Sequence, residues 1–345
     1  MGKLAAPARV KVLQSRQAHE SERESEKTPG RSAYTVTLTA DAGRGSVGLT
    51  ENSPVPEVSL VTLTRADGNW TGDLDITRRS IALALAGGYA VAAFSAEAET
   101  ITTDTVGLVA ETVEIQSADR KIPGYLARPA GAGKHPVVFV NSEVFGVHEW
   151  VKDICRRLAK AGYVALAPDL FVRAGDPSKT TDMKVVMDIV KATPEAQVLA
   201  DTTASLKYLS AQPFADMKRL GVTGFCWGGG ATWRCCEVYP EFKAGVAWYG
   251  PLKPASYPRV SPFEGVKDLK CPVLGLYGGQ DKGIPAQDID DMRKALAAAG
   301  KSAEIVVYPD SQHGFLADYR TSYDPKASAE AWPKMLAFFK AHGVA

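Results

Sequence analysis

The stretch Leu220-Gly221-Val222-Thr223-Gly224-Phe225-Cys226-Trp227-Gly228-Gly229-Gly230 constrains the chain more than any other, because an apolar run stops abruptly at a cysteine flanked by glycines. The pattern is Gly-x-Cys-x-Gly, the cysteine form of Gly-x-Ser-x-Gly, in which a strand ends, the chain turns sharply and a helix begins. Small residues on both sides let strand and helix approach while the central residue holds a strained backbone conformation. In such a turn the backbone N–H of the next residue, here Trp227, faces charge developing on a bound carbonyl, and the helix N-terminus favours a thiolate. A buried free cysteine beside a glycine-rich turn is the simpler alternative, since cysteine is among the most buried residue types.

The partners of such a nucleophile are expected downstream in the order acid, then histidine. Cys271-Pro272-Val273-Leu274-Gly275-Leu276-Tyr277 reads as a strand, and it runs into Gly278-Gly279-Gln280-Asp281. Ala303-Glu304-Ile305-Val306-Val307-Tyr308 is the next strand-like run, and its exit loop carries His313. Open parallel sheets gather ligands at the carboxyl ends of their strands, which would bring Cys226, Asp281 and His313 to one edge. Taken singly, Asp281 is as good a turn residue and His313 as good a loop histidine. Three correct types in the correct order, each after a strand, favour a catalytic array.

The elbow Gly-Phe-Cys-Trp-Gly-Gly, the Tyr-Gly-Gly-Gln-Asp turn and the Gln-His-Gly-Phe loop resemble the dienelactone hydrolase (carboxymethylenebutenolidase) family of α/β-hydrolases. Val137 to Val147, with Glu143-Val144-Phe145-Gly146, resembles that family's strand and loop bearing a glutamate next to the nucleophile. The likeness covers residues 110–342. It implies a mostly parallel central sheet with helices on both faces, and a cysteine hydrolase without cofactor or metal. Cys226, Asp281, His313 and Glu143 are the implied catalytic residues, with the backbone N–H groups of Val144 and Trp227 as the oxyanion hole. It further implies a dienelactone as substrate, a small unsaturated lactone carrying a carboxylate, opened to maleylacetate. The family commonly supplies arginines before the elbow and just after the histidine, and this chain departs there. Lys184, Lys191 and Lys207 are the only cations between Thr180 and Gln212, and Ala317 stands four residues past His313. Arg320 and Lys184 are the candidate substitutes for binding an anion. A broader carboxylesterase or thioesterase on the same fold stays open, as does a non-catalytic binding or redox-sensing protein that kept it.

Repeated strand and helix signals between residues 111 and 342 support the α/β reading. An antiparallel opening pair is expected at Glu111–Gln116 and Pro123–Pro129, and helices at 149–161, 183–191, 195–210, 286–299 and 325–342. His148 is expected to start a helix or line the pocket, while His135 and His342 read as surface. Five cysteines make no CxxC or metal spacing, and no disulfide framework is expected. The net charge of +1 leaves no basic field for nucleic acid. The expected partner is a small anionic lactone or ester, with the chain a monomer or small homo-oligomer.

Residues 1–74 differ in kind: a charged run from Gln14 to Lys27 precedes a Gly-, Ser-, Thr- and Pro-rich stretch, which reads as a disordered or non-native extension. Residues 75–98 hold Arg78-Arg79, a small-residue apolar run and an Ala-x-Ala ending at Ala98, resembling a twin-arginine export signal. The run is short for a membrane span, so stable insertion is not expected. Such signals normally start a protein, so translation is expected to begin downstream, for example at Val61, Leu63 or Leu74 through a non-ATG codon. The hydrolase domain is then 99–345, periplasmic or exported; without a working signal it is cytoplasmic.

Overall fold

The computed structural model describes residues 100–253 and 260–345, together with four short strands nearer the start. Those four, Val10–Leu13, Thr37–Ala40, Gly45–Gly48 and Thr62–Thr64, pair antiparallel in that order within a unit spanning Met1–Ile81. The remaining residues of the expected extension, 1–74, and the candidate signal segment, 75–98, lie outside the described residues.

The second unit spans Ala82–Ala345 and is built on eight strands. In chain order they are β1 (Leu108–Gln116), β2 (Lys121–Pro129), β3 (His135–Asn141), β4 (Val164–Pro168), β5 (Ala215–Phe225), β6 (Ala244–Trp248), β7 (Val273–Gly278) and β8 (Ala303–Tyr308). Their order across the sheet is β1-β2-β4-β3-β5-β6-β7-β8. β1 and β2 form the expected antiparallel pair and β2 runs antiparallel to β4; every later pairing is parallel. This is the mostly parallel sheet that the strand and helix signals called for, and the α/β-hydrolase architecture that the family resemblance implied.

Parallel strands need both faces covered, and their composition shows it. All residues of β4, β6 and β7 are buried, as is β3 from Val137 onward. The covering helices are α1 (Glu149–Lys160), α2 (Met183–Lys191), α3 (Glu195–Ser210), α4 (Trp227–Val238), the short α5 (Pro262–Gly265), α6 (Ala286–Ala298) and α7 (Pro325–Ala341). α1 is a clear amphipathic case: Val151, Ile154, Cys155 and Leu158 recur at helical spacing and are fully buried. It stops where Gly162 takes φ +97°, a conformation that costs a residue with a Cβ. α2 and α3 have the bounds that the sequence implies, and α1, α6 and α7 end within a residue or two of theirs; the short α5 was not expected.

At the elbow the glycines are steric necessities. A Cβ on Gly224 would lie 2.3 Å from the Gly228 carbonyl oxygen, and one on Gly228 would lie 2.3 Å from that of Asn141. One on Gly229 would meet the Trp248 oxygen at 2.4 Å. The first turn of α4 is therefore pressed against the ends of β3 and β6, and no side chain fits between. Gly228→Ala is expected to lower stability by about 3 kcal/mol or more, because the obstacle is backbone that cannot rotate away. Urea denaturation followed by tryptophan fluorescence checks this, and a loss under 1 kcal/mol goes against it.

Candidate active site

Four strands end on one side of the sheet and each hands a polar residue to the same region: β3 leads to Glu143, β5 to Cys226, β7 to Asp281 and β8 to His313. Cys226 sits between strand and helix with φ 55° and ψ −119°, a left-handed-side conformation that only two non-glycine residues of the described chain adopt. Its backbone is tied in, with its N–H donating to Trp248 O at 3.0 Å and its carbonyl accepting from Gly229 at 2.9 Å. Cys226 is partly exposed, and its thiol interacts with the His313 ring. On the far side of the ring, His313 Nδ1 lies 2.7 Å from Oδ2 of Asp281, whose side chain is almost wholly buried. Asp281 is itself fixed by the Gly283 N–H at 2.8 Å.

Electrostatics poise this line of groups. Burial pushes the Cys226 thiol up, yet the adjacent His313 outweighs it and holds the thiol below its ordinary value. Burial lowers the His313 imidazolium, while the facing Cys226 sulfur and Asp281 carboxylate raise it further, to about 10. The two shifts run in opposite directions and describe one pair, in which thiolate with imidazolium is favoured relative to the isolated groups. A thiolate so placed can attack a carbonyl, and a protonated imidazole can return a proton to the leaving group.

Glu143 stands beside the thiol with its own set of partners. Its side chain is fully buried, accepting from Arg320 Nη2 at 2.9 Å and from the Tyr319 hydroxyl at 2.6 Å, with His148 Nε2 at 3.6 Å. Arg320 Nε donates to the same Tyr319 oxygen at 3.0 Å, so the phenol's proton is aimed at Glu143. Burial alone would raise the carboxyl; Arg320, His148 and Tyr319 reverse the sign and hold it at about 2. Val144 and Trp227, with Phe171 and Val186, form a compact apolar cluster against which Cys226 and Phe145 pack. Trp227 is the first residue of α4, and Val144 follows the β3 end on which Gly228 rests, so both lie next to the sulfur.

The structure thus gathers Cys226, Asp281, His313, Glu143, Val144, Trp227 and Arg320. It does not gather Lys184. On α2 the buried residues are Val186, Ile189 and Val190, which turns Lys184 outward, where it is 82% exposed and paired with Asp188 at 2.7 Å. His148 stands at the first position before α1 without a side-chain capping bond, and its Nε2 lies 3.6 Å from Glu143. Sequence reasoning missed Tyr319 and Tyr249. Tyr249 is fully buried at φ +37°, its ring centroid is 5.1 Å from that of His313, and its hydroxyl has no hydrogen-bond partner. The available signal for Tyr249 was its position directly beyond β6, the strand beside the elbow; for Tyr319 it was adjacency to Arg320. Among the described residues no cluster of metal-ligating side chains occurs, and no helix is long and apolar enough to cross a membrane.

A family model described as the dienelactone hydrolase family matches residues 122–343. A protein of Methylorubrum extorquens named "Putative carboxymethylenebutenolidase" is 47% identical over 276 residues, covering 78% of this chain and 94% of that protein. An identically named protein of Escherichia coli K12 is 44% identical over 261 residues, 74% of this chain and 96% of its own. A crystal structure from Klebsiella pneumoniae, titled "Putative Dienelactone Hydrolase", superimposes with a TM-score of 0.65 at 44% identity, covering 68% of this chain and 98% of that one.

The depressed thiol makes a measurable difference. Iodoacetamide is expected to alkylate Cys226 readily at pH 7, where an ordinary thiol with a pKa near 8.5 is only a few per cent ionised. The rate falls as acid protonates the sulfur. His313→Ala removes the facing positive charge and is expected to cut the pH 7 rate by roughly 10- to 100-fold. A rate that rises only near pH 9 in the unsubstituted protein contradicts the ion pair.

Proposed function

This chain belongs to the dienelactone hydrolase family and is a hydrolase of ester or lactone bonds, and from that premise we propose that Cys226 is its nucleophile and a dienelactone its substrate. The observation that carries the reading is the continuous line Cys226–His313–Asp281 with an arginine-held carboxylate, Glu143, beside the sulfur. The thiolate attacks the lactone carbonyl. Negative charge on the carbonyl oxygen is met by the N–H groups of Val144 and Trp227, each such donor lowering the barrier by roughly 3 kcal/mol. His313 protonates the departing enolate oxygen and then takes a proton from the water that resolves the acyl-enzyme, while Asp281 keeps the ring in the required tautomer.

Glu143 and Arg320 supply the response to substrate. A substrate carboxylate that engages Arg320 draws away the charge holding Glu143 ionised, and burial then drives the Glu143 pKa upward. A buried carboxylate released in this way takes up a proton and loses the charge that disfavours the neighbouring thiolate, so the thiolate–imidazolium pair is strengthened where substrate is bound. Arg320 stands in for the arginines that this chain lacks at the family's usual positions, and the substrate is correspondingly an anion. A broader carboxylesterase is the second reading, favoured by the apolar wall of Val144, Phe145, Phe171 and Trp227 against which Cys226 packs.

Steady-state turnover of the full chain decides between them. Dienelactone is expected to be hydrolysed with a kcat/KM at least 100-fold above that of 4-nitrophenyl acetate. Cys226→Ala is expected to lose more than 1,000-fold on both. Turnover of aryl esters alone selects the second reading, and an active Cys226→Ala overturns the nucleophile. For localisation we propose export through the Arg78-Arg79 segment; the N-terminus of the native protein is then expected near Glu99, and one well upstream refutes it.

A further inference from the structure

We propose that Cys236 and Cys271, far from the catalytic sulfur, form a disulfide when the protein meets a thiol–disulfide oxidant. None of the five cysteines is in a disulfide in the structure, and Cys235, Cys236 and Cys271 are buried. Cys236 lies in the last turn of α4 with its Sγ over β6, so close that a Cβ on Gly245 would sit 2.4 Å from it. Gly245 in turn is opposite Val273 of β7, and its N–H donates to Pro272 O at 3.0 Å. Cys271 is the next residue back along that chain. The segment is also pinned from its other side, because the Lys270 N–H donates to the carbonyl of Cys236 itself at 2.9 Å. With the residue before Cys271 bonded to Cys236 itself, and the residue after it bonded to the glycine under the Cys236 sulfur, the two cysteines are neighbours, and a disulfide asks for a Cα separation of roughly 4.4–6.8 Å. Cys271 is also one of the groups that push the Cys236 thiol up, beside burial.

The competing pairs are excluded by the same geometry. Successive helix residues point about 100° apart, and Cys235 is turned to Asn141, whose Nδ2 lies 3.9 Å from its Sγ. Cys226 is at the opposite end of α4, ten residues or about 15 Å along the axis from Cys236. Cys155 is buried on α1, which packs against β2 and β4 rather than β6 and β7. The reaction balances with oxidised glutathione: Cys236 and Cys271 lose two electrons and two protons to form one S–S bond, and the oxidant's disulfide takes them up as two glutathione thiols. The bond would tie the helix that follows Cys226 to the strand that leads to Asp281, closing the loop that contains the Pro-rich segment between them. Because both sulfurs are buried, oxidation proceeds on folding or through transient opening, and reduced protein exchanges slowly.

The test uses the full chain, denatured and refolded with either oxidised glutathione or dithiothreitol, alkylated, and digested without reduction. The expected product is a crosslink between the tryptic peptides 235–243 and 271–282, retained in Cys235→Ser and absent in Cys271→Ser. The oxidised form is expected to melt roughly 5–10 °C above the reduced one, since the crosslink restricts the unfolded chain. Alkylation of all five thiols after oxidative refolding overturns the proposal, as does a crosslink that involves Cys226 or survives Cys271→Ser. Should Cys271→Ser fail to fold, the peptide map of the unsubstituted chain together with Cys235→Ser decides.

Discussion

Everything near the site depends on how closely the first turn of α4 is pressed into the sheet. Gly224, Gly228 and Gly229 each leave a neighbouring carbonyl oxygen where a methyl group would otherwise be. That contact fixes Cys226 at φ 55°, turns its sulfur out of the sheet plane and aims the start of the helix at whatever approaches it. The same contact joins the elbow to the end of β3, so the loop carrying Glu143 and Val144 is tied to the position of Cys226. Packing of this kind sets the distances between these groups before any charge is considered.

Charge then divides the site into two halves of different character. On one side the thiol and imidazole share a proton in favour of the ion pair, anchored by the buried Asp281. On the other, Glu143 is kept ionised by Arg320, with a tyrosine hydroxyl closing the ring of hydrogen bonds. Cys226 lies between an acid–base pair that favours its thiolate and a carboxylate whose charge disfavours it. The thiol's protonation rests on the balance between these two neighbours.

Much of this was legible in residue order alone. Each catalytic candidate follows an apolar run that could only be a buried parallel strand, so the sheet's carboxyl edge and the identities of Cys226, Asp281 and His313 come from the same pattern. Glu143 was found through its segment rather than its charge. What order could not convey was contact between the Glu143–His148 loop and Tyr319-Arg320, which are far apart in the chain and meet only once the sheet has assembled. Lys184 failed for a related reason: a cation near the right place in the sequence lay on the wrong face of α2, and the inward positions Val186, Ile189 and Val190 would have revealed it. Tyr249 had only its position beyond β6 to mark it, because its positive φ cannot be read from residue type.

The site is also spread widely along the polypeptide, from Glu143 to Arg320, with the elbow between them. During synthesis the sulfur leaves the ribosome well before its imidazole partner, and for that interval the nascent chain carries a cysteine with no base, no aligned acid and no guanidinium to restrain its glutamate. Reactivity therefore arrives late and all at once, when the final strand docks at the sheet's edge. Until then the growing protein is chemically quiet, which spares the thiol from stray electrophiles while it is least protected.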